Sequence, residues 1–415
     1  MRALFRGVGW GFERGGPGER ETGGFVEGKE QGKEILLEGE EKIVCADRPE
    51  QLPDVLASLD EIASSGDPNL LAAGFISYEA GVWIEGSTAL VRQHEFLPFA
   101  EFLVLDVRRS AVRRAALPPP AESSLFAFKE SATAERSLSS NEWTSGVETI
   151  RDGISRGDVY QVNLSRRTRF AGAVDPFALA RALYFDNPVP FALTLAGDGW
   201  AVVSNSPELF LDVDLAERRA VTKPIKGTIA RGATEGEDAV RRRDLLGSAK
   251  DAAENVMIVD LLRNDLGKVA EPGRVETTAL RALTSFRHLH HLESTVEARL
   301  RPDVRLSDVL RATLPGGSIT GAPKRAALRF IHDLEKAPRG AYCGAAGFVR
   351  GDGRAIFNVA IRTAILGRDT VDYHAGGGIV WDSDAEAEWR ETEAKSREIG
   401  AAMTALGAGE VRREP

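Results

Sequence analysis

The sequence predicts an α+β fold built on large, mostly antiparallel β-sheets. Two observations lead there. Short apolar runs of strand length crowd together at residues 192–222 and 347–375, and helical stripes fall around them without the strict strand–helix alternation of a doubly wound sheet. No self-similarity recurs at periods of about 20–50 residues, so a repeat array is excluded.

The elements follow in order. Residues 1–30 are rich in Gly and Glu without periodicity and read as a loose lead-in. Glu34–Leu37 and Lys42–Ala46 read as strands, and Leu52, Val55, Leu56, Leu59 and Ile62 fall at helical spacing ahead of the stop Ser64-Ser65-Gly66. Leu70–Tyr78 (LLAAGFISY) reads as a buried strand and Glu101–Val107 as another. Arg108–Arg114, Pro118-Pro119-Pro120 and a Ser-rich stretch to Ser140 form the clearest linker, dividing the chain into an N-terminal region, 1–135, and a main domain, 136–408. Beyond it Trp143, Val147, Ile150 and Ile154 make the stripe of an amphipathic helix stopped by Gly157. Strands are expected at Val159–Leu164, Ala192–Leu195, Trp200–Ser204, Leu209–Val213, Ala220–Thr222, Gly347–Arg350, Ala355–Ile365 and Val371–Ala375. Helices are expected at Ser248–Asn264, Pro323–Glu335 and Ser383–Leu406.

Composition narrows the function. Among 415 residues, 53 Lys and Arg against 62 Asp and Glu give a net charge of −9 with no basic tail, which argues against a nucleic-acid or anionic-membrane partner. Any anionic substrate must therefore be gathered by local cations. Cys45 and Cys343 are the two cysteines, too few for a disulfide scaffold or a Cys-rich zinc site. The N-terminus has no apolar segment of signal-peptide length, and no uninterrupted apolar run reaches about 18 residues, so a cytoplasmic location is expected.

Three groups of residues carry candidate chemistry. Asp251 and Glu254 share the face of one helix, and Glu388 and Glu391 repeat the design on the last helix, with Lys395 and Ile399 continuing that face. Two such pairs offer the oxygen-only ligands that Mg²⁺ requires. Capping boxes at Ser248-x-x-Asp251 and Ser383-x-x-Glu386 explain part of the same pattern structurally. The segment Pro315–Ile331 (PGGSITGAPKRAALRFI) combines glycines that permit close backbone approach with a Pro at a helix start; its spacing is not that of a Walker loop. Gly376-Gly377-Gly378 allows a similar approach, or a bulge. Lys226, in KPIKGT, is either a surface charge or a buried amine whose nucleophilicity depends on desolvation or a neighbouring cation. Glu208 lies between Pro207 and apolar Leu209-Phe210, where desolvation favours a general acid. Arg362 lies in an apolar run and needs an anionic partner, either a substrate carboxylate or a structural one. His288, His290 and His291 lack the spacing of a zinc site.

Taken in order, YQVNL (Tyr160–Leu164), SPELF (Ser206–Phe210), KPIKGT (Lys223–Thr228), AENVMIVDLLRNDLG (Ala253–Gly267), HHLEST (His290–Thr295), PGGSITGAPK (Pro315–Lys324), CGAAGF (Cys343–Phe348), IRT (Ile361–Thr363) and GGGIVWDS with EWRET and Lys395 resemble the chorismate-utilising enzymes, above all their aminodeoxychorismate synthase branch. AAGFISYEAG at Ala72–Gly81 extends the likeness more weakly. The resemblance implies antiparallel sheets packed as a sandwich with helices outside. It implies Mg²⁺ held between Glu254 and Glu391, with Asp251 and Glu388 in support. The ring carboxylate of chorismate would lie at the metal near Lys395. Tyr342 and Arg362 would grip the enolpyruvyl carboxylate, and Gly321, Ala322, Gly376, Gly377 and Gly378 would contact the dianion through backbone. Glu208 corresponds to the acid for the departing C4 hydroxyl and His291 to a histidine beside the ring.

Two positions sort the branches. Relatives that add water carry Lys where this chain has Gln161, which disfavours hydroxylation. Anthranilate synthases carry a small residue in place of Lys226, whereas aminodeoxychorismate synthases carry Lys, expected to attack C2. Neither cysteine stands in a Gly-x-Cys-x-Gly elbow, so ammonia is expected from a separate glutamine amidotransferase subunit. Glu293 stands where an apolar residue is usual, and the shorter N-terminal region leaves effector binding open. The competing readings are anthranilate synthase component I and a catalytically silent chorismate-binding subunit.

Overall fold

Along Leu70–Ile76, Leu71, Ala73 and Phe75 turn to one face and Ala72 and Ile76 to the other, and all five are buried. A strand covered on both faces reads as a continuous apolar run, which is why LLAAGFI shows no alternation. The structure is a computed structural model and describes residues 1–6, 10, 34–38, 42–108, 111–115, 134–286 and 289–406.

Two ten-stranded antiparallel sheets form the centre. The first runs Gly321–Ala322, Gln161–Ala171, Thr370–Ile379, Thr363–Leu366, Ala201–Ser206, Phe191–Ala196, Arg2–Arg6, Glu34–Glu38, Ala111–Ala115, with Glu135–Arg136 beside Gln161–Ala171. The second runs Ile225–Ala230, Leu289–Leu300, Arg219–Lys223, Leu209–Asp214, Arg354–Val359, Ala345–Arg350, Leu70–Ile76, Ala100–Asp106, Lys42–Ala46, with Ala270–Ser285 beside Leu289–Leu300. Their facing sides share one core that includes Phe5, Phe75, Leu193, Val202, Phe348 and Ile365. Each such side chain taken from water contributes about 1.5–3 kcal/mol. Helices Pro176–Asp186 and Ala385–Ala405 cover the outer face of the first sheet through Leu179, Leu183, Ile399 and Met403. Leu52–Ala63, Ala249–Gly267 and Leu306–Thr313 cover the second through Leu56, Leu59, Val259, Val309 and Leu310. The expected α+β sandwich with helices outside is therefore what the chain forms.

Several elements differ from expectation. Arg2–Arg6 is not part of a loose lead-in but a strand between Phe191–Ala196 and Glu34–Glu38, and Trp10 is buried with Nε1 donating to Arg6 O and Ala192 O, 3.0 Å each. The rest of that lead-in, 7–9 and 11–30, lies outside the described residues, as do 116–133 with the three prolines of the linker. Ala111–Ala115, within the expected linker, pairs with Glu34–Glu38. The single strand expected over Ala355–Ile365 is two, Arg354–Val359 in the second sheet and Thr363–Leu366 in the first. The chain crosses between sheets at Arg362, whose φ is 51°, and uniform hydropathy gave no sign of it. The Gly376–Gly378 run is no bulge: its register against Gln161–Ala171 is unbroken. Helices Tyr78–Ile84, Pro176–Asp186, Glu235–Gly247 and Leu306–Thr313 were not read from sequence. No described helix is long and apolar enough to cross a membrane.

Candidate active site

The register of Ile225–Ala230 against Leu289–Leu300 shifts between Ile225 and Thr228, and this irregularity sets Lys226 out of the ladder. Gly227, at φ 89°, is packed so closely that an added Cβ would lie 3.1 Å from Asp251 Cγ, so the turn rests on the first turn of Ala249–Gly267. Lys226 is half-buried and its Nζ donates to Ser318 O at 3.3 Å. The Ser318 hydroxyl donates to Glu208 Oε1 at 3.2 Å. One serine thus holds both groups, its carbonyl on the amine and its side chain on the acid. Glu208 is buried between strands Ala201–Ser206 and Leu209–Asp214, and its backbone N–H is fixed by Ser206 Oγ at 3.2 Å. Burial pushes its carboxyl up to about 7 against the opposing pull of Lys226 and Ser318. A carboxylic acid that keeps its proton near neutrality can donate to a leaving hydroxyl.

His291, on Leu289–Leu300, has Nδ1 2.7 Å from Thr228 Oγ1 and its ring edge-on to Phe286 at 5.1 Å. Burial, then Arg362 and His290, hold it down at about 4, so at neutral pH it is an uncharged imidazole. His290 is engaged elsewhere, by Ser285 at 2.8 Å and Asp238 at 2.9 Å, and His288 lies outside the described residues.

Tyr342 stacks on His374, ring centroids 5.2 Å apart and planes 15° apart, and burial keeps its phenol protonated. Arg362 Nη1 reaches Lys395 O at 3.4 Å and Glu398 Oε2 at 3.9 Å. Both contacts are long for a guanidinium with five donors, so the structural-carboxylate alternative is filled only loosely. Gln161 is fully buried, and neither its amide oxygen nor its nitrogen has a hydrogen-bond partner. It lies across Gly378, where a Cβ would fall 2.0 Å from Gln161 Nε2, and beside Gly321, where one would fall 2.2 Å from Gln161 O. Gly321–Ala322 pairs with Val162 and Gln161. An unsatisfied buried amide costs about 1–3 kcal/mol, and the absence of a side chain at Gly378 is what lets the Gln161 amide lie against that strand.

The acidic helices face each other near this point. Lys250 Nζ lies 3.5 Å from Glu388 Oε1 and 4.0 Å from Glu254 Oε1. Lys395 Nζ pairs with Glu391 at 2.6 Å and donates to Gly376 O at 2.8 Å, while an added Cβ on Gly377 would meet Glu388 Oε2 at 3.0 Å. Burial raises the Glu254 carboxyl against Lys226 and Lys250; at Glu391 burial is outweighed by Lys395, Lys250 and Lys226 and the carboxyl is lowered. Ser248 caps its helix as expected, accepting from Asp251 N at 3.2 Å. That cap is one-sided, without the return bond of a full capping box, and at the second site Asp384 is the cap while the Ser383 hydroxyl donates to Glu388 Oε1 at 2.8 Å. Among the described residues no three His, Cys, Asp or Glu side chains are grouped to hold an ion by themselves, so the four carboxylates do not form a closed cage. Two helices nonetheless present carboxylate oxygens to one ammonium, a stand-in cation, and a hard ion that takes one or two carboxylates and completes its shell with water and substrate oxygens fits that donor set.

The structure thus links Lys226 with Glu208 through Ser318, sets Gln161 against Gly321 and Gly378, Gly377 against Glu388 and Gly227 against Asp251, and ties Glu254 to Glu388 through Lys250 and Glu391 to Gly376 through Lys395. Sequence reasoning did not single out Ser318, Lys250 or His374. Ser318 stood inside the quoted PGGSITGAPK, and Lys250 is a cation in a helix first turn, where the dipole disfavours it.

Fold and side chains together set a buried acid, a half-buried amine and a lysine-bridged group of carboxylates on a framework of two antiparallel sheets. A profile of the chorismate binding enzymes matches residues 20–400, and the chain belongs to that family. It is 36% identical over 374 residues to an anthranilate synthase component 1 of Haloarcula marismortui, covering 85% of this chain and 75% of that one. It is 35% identical over 393 residues to aminodeoxychorismate synthase component 1 of Escherichia coli, covering 89% and 85%. Anthranilate synthase component I from Streptococcus pneumoniae superposes with a TM-score of 0.73 at 27% identity over 92% of this chain and 95% of that chain.

Proposed function

We propose that the chain is an aminodeoxychorismate synthase component I, aminating chorismate at C4 to give 4-amino-4-deoxychorismate for p-aminobenzoate and folate synthesis. Ammonia comes from a separate glutamine amidotransferase subunit. The observation that carries the reading is Lys226 and Glu208 held by the same residue, Ser318, with burial raising the Glu208 carboxyl to about 7. The Lys226 nitrogen attacks C2; the ring double bonds shift toward C4, and the C4 hydroxyl leaves with the Glu208 proton as water. Ammonia then adds at C4, the double bonds return, and the C2–N bond to Lys226 breaks, leaving the enolpyruvyl ether intact. Tyr342 and Arg362 orient the enolpyruvyl carboxylate, Gln161 and the glycines line the ring, and neutral His291 borders it without contributing a charge. Glu254 and Glu391, with Asp251 and Glu388 behind them, would hold Mg²⁺, which when bound neutralises the ring carboxylate.

The anthranilate synthase relatives support a second reading, in which ammonia attacks C2 directly. Chorismate, Mg²⁺ and ammonium supplied to the chain alone, with products identified by mass spectrometry, separate the two. 4-Amino-4-deoxychorismate is expected; anthranilate as the main product would overturn the proposal, and binding of chorismate without turnover would indicate a silent subunit.

A further inference from the structure

Lys250 follows the cap Ser248 by two positions, and a cation in a first helical turn is disfavoured by about 0.3–1 kcal/mol. It is nevertheless engaged. Its ammonium reaches Glu388 on the facing helix at 3.5 Å and Glu254 one turn along its own at 4.0 Å, which joins the two acidic helices by a direct ion pair. The neighbouring lysines are committed differently, Lys395 to Glu391 and Gly376 O, Lys226 to Ser318 O. Glu388 is buried and fixed by Ser383, whereas the Lys250 side chain is 51% exposed and can swing into water without disturbing the packing. The mobile member of the cluster is therefore the cation and the rigid member the carboxylate.

We propose that Lys250 is an internal counter-ion of the metal-free site, bridging Glu254, one of the two residues that would hold the metal, and the supporting Glu388, so that binding of a hard divalent cation at Glu254 and Glu391 displaces the ammonium. This rests on the Mg²⁺ reading above. Without its ammonium Glu254 would keep only Lys226 and Glu388 only the Ser383 hydroxyl to offset their charges; with it, they stay in place at the expense of metal affinity.

The test uses the full chain stripped of metal and titrated calorimetrically with magnesium chloride alone, as wild type, Lys250→Gln and Lys250→Arg, with thermal midpoints in parallel. Lys250→Gln is expected to bind Mg²⁺ roughly threefold to tenfold more tightly, the worth of one or two half-exposed ion pairs. Its midpoint without metal should fall, and Mg²⁺ should restore it by more than in the wild type. Lys250→Arg, which keeps the charge, should stay within about twofold of the wild-type affinity. Unchanged or weaker Mg²⁺ binding by Lys250→Gln, in a wild type that does titrate, overturns the exchange while leaving the metal reading intact. A wild type that shows no saturable binding and is unaffected by Glu254→Gln overturns the metal reading and this inference with it.

Discussion

Replacing Ser318 by alanine removes the hydroxyl that donates to Glu208 at 3.2 Å and leaves the carbonyl that holds Lys226. The hydroxyl favours the carboxylate over the acid, so its loss must raise a carboxyl that already stands at about 7. A hydrogen bond to an ionised group is worth about 1.5–3 kcal/mol; at this length the lower end applies, and at 1.36 kcal/mol per unit the carboxyl moves up by about one unit. If protonated Glu208 is the general acid, the alkaline limb of kcat/KM shifts upward by that unit. At pH 6 the acid is protonated in both proteins and rates should agree within about twofold, whereas at pH 9 the variant carries about tenfold more of the acid form and should be correspondingly faster. Initial rates of 4-amino-4-deoxychorismate formation, taken at constant free ammonia from pH 6 to 9.5, read this directly. A limb that stays in place or moves down would refute both the placement of the proton on Glu208 and the role given to Ser318.

Three further outcomes follow from the same geometry. Lys226→Ala should lose 4-amino-4-deoxychorismate and release a trace of anthranilate, since ammonia then reaches C2 unopposed; full retention of the normal product by mass spectrometry would remove the covalent step. Glu391→Gln and Glu254→Gln should each abolish turnover together with its dependence on added magnesium chloride, and a variant still stimulated by the metal would exclude that residue as a ligand. His291 is held at about 4 from an ordinary 6.5, so the unfolded chain binds the proton first as pH falls. The stability it contributes is complete above pH 6.5 and is lost on the way down to about 4. Urea unfolding should show about 2 kcal/mol lost between pH 7 and 5 that His291→Gln does not lose, and equal slopes in both proteins would contradict the buried neutral ring.

Legibility followed the range of the signal. The stripe Trp143, Val147, Ile150 and Ile154 is local, and its helix, Ser140–Ser155, was read with its boundary set by Gly157. The sheet crossing at Arg362 was not, because strands buried on both faces in either sheet are equally apolar and a positive φ at an arginine has no compositional mark. In the site, residue types were legible where chemistry demands them: Lys226, Glu208 and the paired carboxylates. Relations were not, since Ser318 reaches Lys226 across 92 positions and Glu208 across 110, distances over which no spacing rule operates. Ser383 shows the converse error, a motif matched in sequence whose hydroxyl donates to Glu388 and whose oxygen accepts from Val380 N, leaving the cap to Asp384.

The N-terminal region, up to about residue 135, reaches the proposed chemistry through the two residues that follow Ser318. Leu70–Ile76 pairs with Ala345–Arg350 and runs into Tyr78 and Glu79. Glu79 accepts from the backbone N–H groups of Arg339 at 2.7 Å and Gly340 at 2.9 Å, and the Arg339 guanidinium lies over the Tyr78 ring at 4.4 Å. Arg339 itself is fully buried, paired with Glu335 at 2.7 Å, and donates to Ile319 O at 2.9 Å and Asn163 O at 2.6 Å. Tyr78 also donates to Thr320 Oγ1 at 3.3 Å. The two residues that follow Ser318 are thus fixed from the N-terminal region, one through Arg339 and one directly. A buried guanidinium left without its carboxylate or its acceptors costs about 3–5 kcal/mol, so this arrangement is held or lost as a unit. The position of the Ser318 carbonyl and hydroxyl, on which Lys226 and Glu208 both depend, is therefore set by packing between the two halves of the chain rather than by the main domain alone.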